Sequence, residues 1–327
     1  MKLLTRLTPV ASLLLLSLGN ASIASANDDF KLSDKLSVTG FIDMSWSYAD
    51  PDGGDSSQSA GLDQFEIDFL YGFSDKLTAQ VDLEYQDNGS GEEVDIEQAF
   101  LNYAISNEFS IKAGRFLSYS GWETEEPTGL FQYSGTGYAK YFYGGYQQGI
   151  SGKYSTDKYA LALSVVNSLG DLEGEARDSE NPGIEAMVAF MPTESITVKG
   201  FYMTDKLDGT DETTKMINVW GSYAKDALTL AAEYNNAENS AFAGSDASGY
   251  LLMANYAFET FGLTLRYHAY DLEDAAGTTL EDMSGITISP SFSVTDNLLM
   301  VFEYRRDSDD VSDSDANFLA VEALVTF

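Results

Sequence analysis

The sequence predicts an all-β fold: a transmembrane, antiparallel, up-and-down β-barrel of about sixteen strands. Three features predict it. Apolar and polar residues alternate with period two from near Leu36 to Phe327, the connections between alternating segments are short and long in turn, and aromatic residues gather at both ends of the segments.

The chain opens with "MKLLTRLTPVASLLLLSLGNASIASA". Lys2 and Arg6 precede an apolar stretch, and Ala24-Ser25-Ala26 supplies a small-x-small cleavage pattern. Residues 1–26 are therefore expected to be a cleaved signal peptide and residues 27–327 one barrel domain. Beyond Asn27 no apolar run reaches the roughly 18 residues of a membrane helix, so strands must do any crossing.

The strands follow in order. In "KLTAQVDLEYQ", Leu77, Ala79, Val81, Leu83 and Tyr85 share one face, while Gln80, Asp82, Glu84 and Gln86 share the other. "ALTLAAEYNN" sets Leu228, Leu230, Ala232 and Tyr234 against Thr229, Glu233 and Asn235. "GLTLRYHAY" sets Leu263, Leu265 and Tyr267 against Thr264, Arg266, His268 and Tyr270. Short connections include 74–76, 106–108, 156–158 and 295–297. Long ones fall near 50–60, 88–93, 118–145, 168–182, 206–214, 237–248, 271–284 and 308–316.

A soluble sandwich also alternates. Two aromatic rings at opposite rims favour a lipid-facing wall instead: Tyr48, Tyr85, Tyr202 and Tyr234 beside the long connections, and Phe73, Tyr103, Tyr154 and Phe190 beside the short ones. Hydrocarbon cannot hydrogen-bond an open strand edge, so the last strand must pair with the first. That puts the terminal "FLAVEALVTF" in the wall. Its Val325 and Phe327 resemble the carboxy-terminal signal of bacterial outer-membrane proteins, which implies recognition by the outer-membrane assembly machinery.

The third long connection, 118–145, is the longest, and "IEQAFLNYAISNEFSIKAGRFLSYSGWETEEP" leads into it. This run resembles the OmpL-like β-barrel porin family, most specifically across about 96–155. The resemblance implies a Gram-negative outer-membrane porin for passive diffusion, with the loop folded into the lumen. Glu123, Glu125 and Glu126 on that loop would then face inward basic residues of the wall, with Lys112, Lys153, Lys199, Arg266 and Arg305 as candidates. Acid opposite base sets a transverse field across a constriction. Parity sends Arg115 toward lipid; a bulge at Gly114 turning it into the pore is the favoured reading, and a position at head-group height the other. Asp82, Glu84, Glu233 and Glu303 are expected to line the pore.

Composition narrows the function. The net charge of −34 disfavours nucleic acid as a partner. There is no cysteine, and His268 is the single histidine, which leaves no thiolate metal site and little for a catalytic triad. Neither an enzyme nor a resident cofactor is expected. A cation-preferring, water-filled channel for small hydrophilic solutes and ions follows. The alternatives are a substrate-specific channel, with Trp122, Phe131, Tyr138, Tyr141 and Tyr143 as a sugar-stacking track, and a plugged structural or adhesive barrel. The acidic external segments, such as 170–180 and 307–315, could take divalent cations that bridge to lipopolysaccharide. Outer-membrane lipid and a homotrimer complete the expected partners.

Overall fold

The computed structural model describes residues 30–87, 92–123, 126–135, 137, 139–167, 181–207 and 210–327. The expected signal peptide, residues 1–26, lies outside them.

The wall is a closed antiparallel barrel of sixteen strands, β2 to β17, in sequence order. They are β2 (Leu36–Pro51), β3 (Ser57–Gly72), β4 (Leu77–Asp87), β5 (Glu92–Ala104), β6 (Phe109–Leu117), β7 (Tyr146–Ser155), β8 (Tyr159–Val166) and β9 (Gly183–Thr193), then β10 (Ile196–Lys206), β11 (Thr213–Lys225), β12 (Leu228–Glu238), β13 (Asp246–Ala257), β14 (Gly262–Glu273), β15 (Thr279–Ser293), β16 (Leu298–Asp309) and β17 (Ser314–Thr326). The seam runs between β17 and β2, from Ala316 opposite Pro51 to Thr326 opposite Phe41. Gly40 and Phe327 then exchange both backbone hydrogen bonds, at 3.1 and 3.0 Å. A short extra strand, β1 (Phe30–Ser33), pairs with β2 beyond that point, Phe30 opposite Val38.

Why these residues make strands shows in β8, "YALALSVV". Its side chains are exposed and buried in strict alternation: Tyr159, Leu161, Leu163 and Val165 outward, Ala160, Ala162, Ser164 and Val166 inward. Outward apolar residues of this kind continue round the wall at Leu101, Ile150, Val188, Val219, Leu252, Leu265 and Ile286. A band of that extent fits hydrocarbon, not water. At the short-turn rim Tyr159 stacks on Phe190 at 5.2 Å, and a run of rings joins Tyr256, Phe258, Phe261, Phe292 and Phe302. At the opposite rim Tyr250 meets Tyr267 at 5.9 Å.

Several of the short turns share a device. The hydroxyls of Ser33, Ser74, Ser106, Thr156 and Thr295 each accept backbone N–H groups two and three residues on. The long connections are mostly shorter than the alternation suggests, because the strands run on: β2 and β3 have 16 residues each, against the roughly 9–11 that span a bilayer. Among the connections lying mostly within the described residues, segment 118–145 keeps its full expected length.

Candidate functional site

Segment 118–145 lies inside the barrel. It holds a 3-10 turn (Pro127–Gly129) and a one-turn helix, α1 (Ala139–Phe142). Its anchors can be followed round the wall. Ser118 Oγ and the Tyr119 N–H donate to Glu185 of β9 at 2.6 and 2.9 Å, and the Tyr119 and Ser151 hydroxyls lie 3.1 Å apart. The Gly121 N–H reaches Asn218 of β11, and the Trp122 N–H donates to Glu233 of β12 at 3.0 Å. Tyr143 donates to the other oxygen of Glu233. Ser134 donates to Glu303, and the Tyr133 hydroxyl sits 3.0 Å from that of Ser45 on β2.

The inner wall divides into arcs. From β8 to β14 it carries apolar side chains, Ala160, Met187, Phe201, Trp220, Leu251 and Met253 among them, and the loop's Trp122, Phe131, Tyr141 and Phe142 pack against these. From β16 through β17 and β2 to β5 it carries carboxylates: Glu303, Glu322, Asp43, Glu66, Asp82, Glu84 and Glu97, all buried among their neighbours. Between the arcs stand Lys112 on β6 and Lys153 on β7, whereas Lys199 on β10 lies within the apolar arc. Lys112 Nζ lies 4.3 Å from the Phe100 ring centre and Lys199 Nζ 4.8 Å from that of Trp220.

Each expected site residue can now be placed. Glu123 and Arg266, expected on opposite sides of an opening, touch: Nη1 donates to Glu123 Oε1 at 2.6 Å, with side-chain exposures of 5% and 0%. A paired, buried charge fastens the loop and sets up no field across water, so the pair departs from the sequence expectation. Arg266 also donates to the Ser134 carbonyl at 2.6 Å. Arg305 donates to Ser134 Oγ at 2.7 Å and to Asp307 at 2.8 Å. Asp82, Glu84, Glu233 and Glu303 face inward, though Glu233 and Glu303 are engaged in holding the loop. His268 faces inward too, with Nε2 3.9 Å from Asp307. Trp122 stacks on Phe131 at 6.3 Å and meets Trp220 edge-on, so these rings pack on each other and on the wall. Glu125 and Tyr138 lie outside the described residues.

Arg115 corrects the sequence reading. No bulge turns it into the pore: the β5–β6 ladder is unbroken from Ala99–Arg115 to Ala104–Ser110. Gly114 does adopt φ +134°, where a Cβ would run into the Ala99 carbonyl, but the register survives. Arg115 stays on the outer face at the loop end of β6, among Ile96, Ala99 and Gln148, with Asp95 3.5 Å away. At that height an outward arginine costs little.

The bulge lies one strand earlier. On β5, Gln98 pairs with Asp82 and Ile96 with Leu83, leaving Glu97 as the extra residue, and it turns inward with 4% exposure. A second bulge adds Asp63 on β3, which accepts from the Tyr133 hydroxyl at 3.4 Å. Glu97 was missed because strict parity was assumed. The signal was present: the outward positions Val94 and Ile96 step by three, not two, to Ala99. Glu66, Glu97 and Glu126 each offer an oxygen within 4.8 Å of the other two, and Glu66, Asp68 and Asp82 do likewise. Burial, then the neighbouring Glu97 carboxylate, pushes the Glu126 carboxyl well above its ordinary range. Among the described residues, these triads are on the inner wall and loop, not on 307–315, and 170–180 lies outside the described residues.

A family model described as "Putative beta-barrel porin-2, OmpL-like" matches residues 58–327. No curated protein matches. Among solved structures, Salmonella typhi OmpF in complex with daunomycin superposes with TM-score 0.70 at 16% identity, covering 92% of this chain and 100% of that one. The outer membrane channel DcaP of Acinetobacter baumannii gives 0.69 at 14%, covering 92% and 100%. The anion-selective porin from Comamonas acidovorans gives 0.68 at 13%, covering 89% and 99%. At such identities the likeness concerns the fold.

Proposed function

Since the chain belongs to the beta-barrel porin-2, OmpL-like family and is an outer-membrane β-barrel, we propose that it conducts small hydrophilic solutes and ions passively through a water-filled lumen, with cations preferred. The carboxylate arc from β16 to β5 carries this reading. A wall lined by Asp43, Glu66, Asp82, Glu84, Glu303 and Glu322 concentrates cations and repels anions. Lys112, Lys153 and Lys199 stand apart from that arc, so a transverse field would run between the lysines and the carboxylates, with the loop's Glu126, beside Glu66 and Glu97, on the acidic side.

A path along the acidic arc is also what the loop's packing favours, because its apolar side covers β8–β14. The aromatic residues considered for sugar stacking are occupied in that packing, which weakens the sugar-channel reading. The dense anchoring of the loop speaks for the plugged barrel, and conduction decides between them.

Single-channel recording of refolded protein in a planar bilayer under a salt gradient tests the proposal. Stepwise conductance with a cation-selective reversal potential is expected. An anion-selective potential would refute the role given to the carboxylate arc, and a silent bilayer would put the plugged barrel first. Recognition of Val325 and Phe327 by assembly machinery belongs to the same proposal: Phe327→Ala should lower the amount of folded protein in outer-membrane fractions several-fold.

A further inference from the structure

The carboxylates around Glu66 raise a problem of charge. Glu66 is on β3, Glu97 is the bulge residue of β5, and Glu126 immediately precedes the 3-10 turn of the loop. Three separate segments therefore bring oxygens within 4.8 Å of one another. No ion pair of the described residues includes Glu66 or Glu97. At neutral pH three carboxylates this close, with both wall residues only 4% exposed, must be relieved by protons or by a cation.

The hydrogen bonds around the cluster favour the cation. Thr39 donates to Asp68 Oδ2 at 2.9 Å, Gln80 and Gln98 donate to Asp82 at 2.8 and 2.7 Å, and Tyr146 approaches Glu126 Oε1 at 3.5 Å. Of these only Tyr146 reaches a proposed ligand, while Thr39, Gln80 and Gln98 satisfy Asp68 and Asp82 beside the cluster. Glu66 Oε2, Glu97 Oε2 and Asp68 Oδ1 are buried and receive no donor. A shared proton joins two oxygens and leaves a third carboxylate out. A cation at the centre serves all three, and buried wall carboxylates with an oxygen that no donor reaches, as on Glu66 and Glu97, suit it as ligands.

Three hard carboxylate oxygens suit a hard divalent cation. We propose that Glu66, Glu97 and Glu126 bind one such divalent cation, which ties the inward loop to the β3–β5 wall. Asp68 and Asp82, the second triad through Glu66, back the site with further negative charge. The ligands are hard oxygens from three carboxylates, and water completes the shell. The inference rests on this geometry and not on conduction.

Calorimetric titration of calcium chloride into full-length refolded protein, stripped with a chelator, tests it. One saturable site per chain is expected, weakened at least tenfold by Glu97→Gln and by Glu66→Gln. Heat from external acidic segments would persist unchanged in both variants. Heat-modifiable gel migration reports whether each variant has folded; should the wall substitutions prevent folding, Glu126→Gln on the loop gives the same readout. An isotherm without a saturable site, or one that all three substitutions leave intact, overturns the proposal. A silent bilayer combined with a calcium site lost in Glu97→Gln would sink the channel reading and leave this one standing.

Discussion

Arg266 shows what one residue does when the loop lies inside the barrel. Its guanidinium has no exposed side-chain surface and joins Glu123, the Ser134 carbonyl and Thr287. Removing one member of a buried pair leaves the other charge unsatisfied, typically at about 3–5 kcal/mol. Arg266→Met should therefore lower unfolding stability by about that amount, and adding Glu123→Gln should recover part of it, as denaturant titration of the single and double variants would show. The same single variant should raise conductance noise in bilayers if the pair fixes the loop. His268, beside this pair, has Asp307 as a distant neighbour at 3.9 Å, and His268→Ala should leave conductance unchanged. Parity pointed to Arg266 and the expected inward loop to Glu123, but neither gave their contact. Parity says which way a wall residue points, whereas the position of a loop carboxylate depends on how twenty-odd residues fold back inside the wall.

At the scale of elements, the strands were legible because their physics is local: period two sets the faces, and a Ser or Thr at the start of several short turns accepts the N–H groups two and three residues on. The outward face can be tested at one position. Leu163, 55% exposed in the middle of β8, should tolerate Ser or Ala in its place but lose about 2–4 kcal/mol as Leu163→Arg, measured by unfolding from lipid vesicles. The two bulges were not legible to a strict period. One extra residue on β3 and one on β5 turn Asp63 and Glu97 toward the lumen while the pairing on either side holds its register. The other surprise was the apolar inner face from β8 to β14. Ala160, Met187 and Phe201 sit where a water-lined wall would carry polar groups, and only the presence of the loop explains them. That relation joins segments far apart in sequence, so no local pattern announces it.

At the scale of the molecule, the carboxylates act together through their summed field. Screening shortens that field from about 10 Å at 0.1 M salt to about 3 Å at 1 M. Cation preference should therefore fade as salt rises, with the reversal potential moving toward zero at equal concentration ratios. The barrel itself has a further consequence in time. Fifteen of its ladders join strands that follow one another in the chain, and each can form as soon as its second strand exists; the sixteenth joins β17 to β2. Until β17 arrives, the curling sheet has two raw edges, each a row of N–H and C=O groups that hydrocarbon would leave unsatisfied at several kcal/mol apiece. A half-made wall thus has no stable resting place in lipid. Whatever escorts it there must cover both edges at once and let go only when Phe327 has found Gly40.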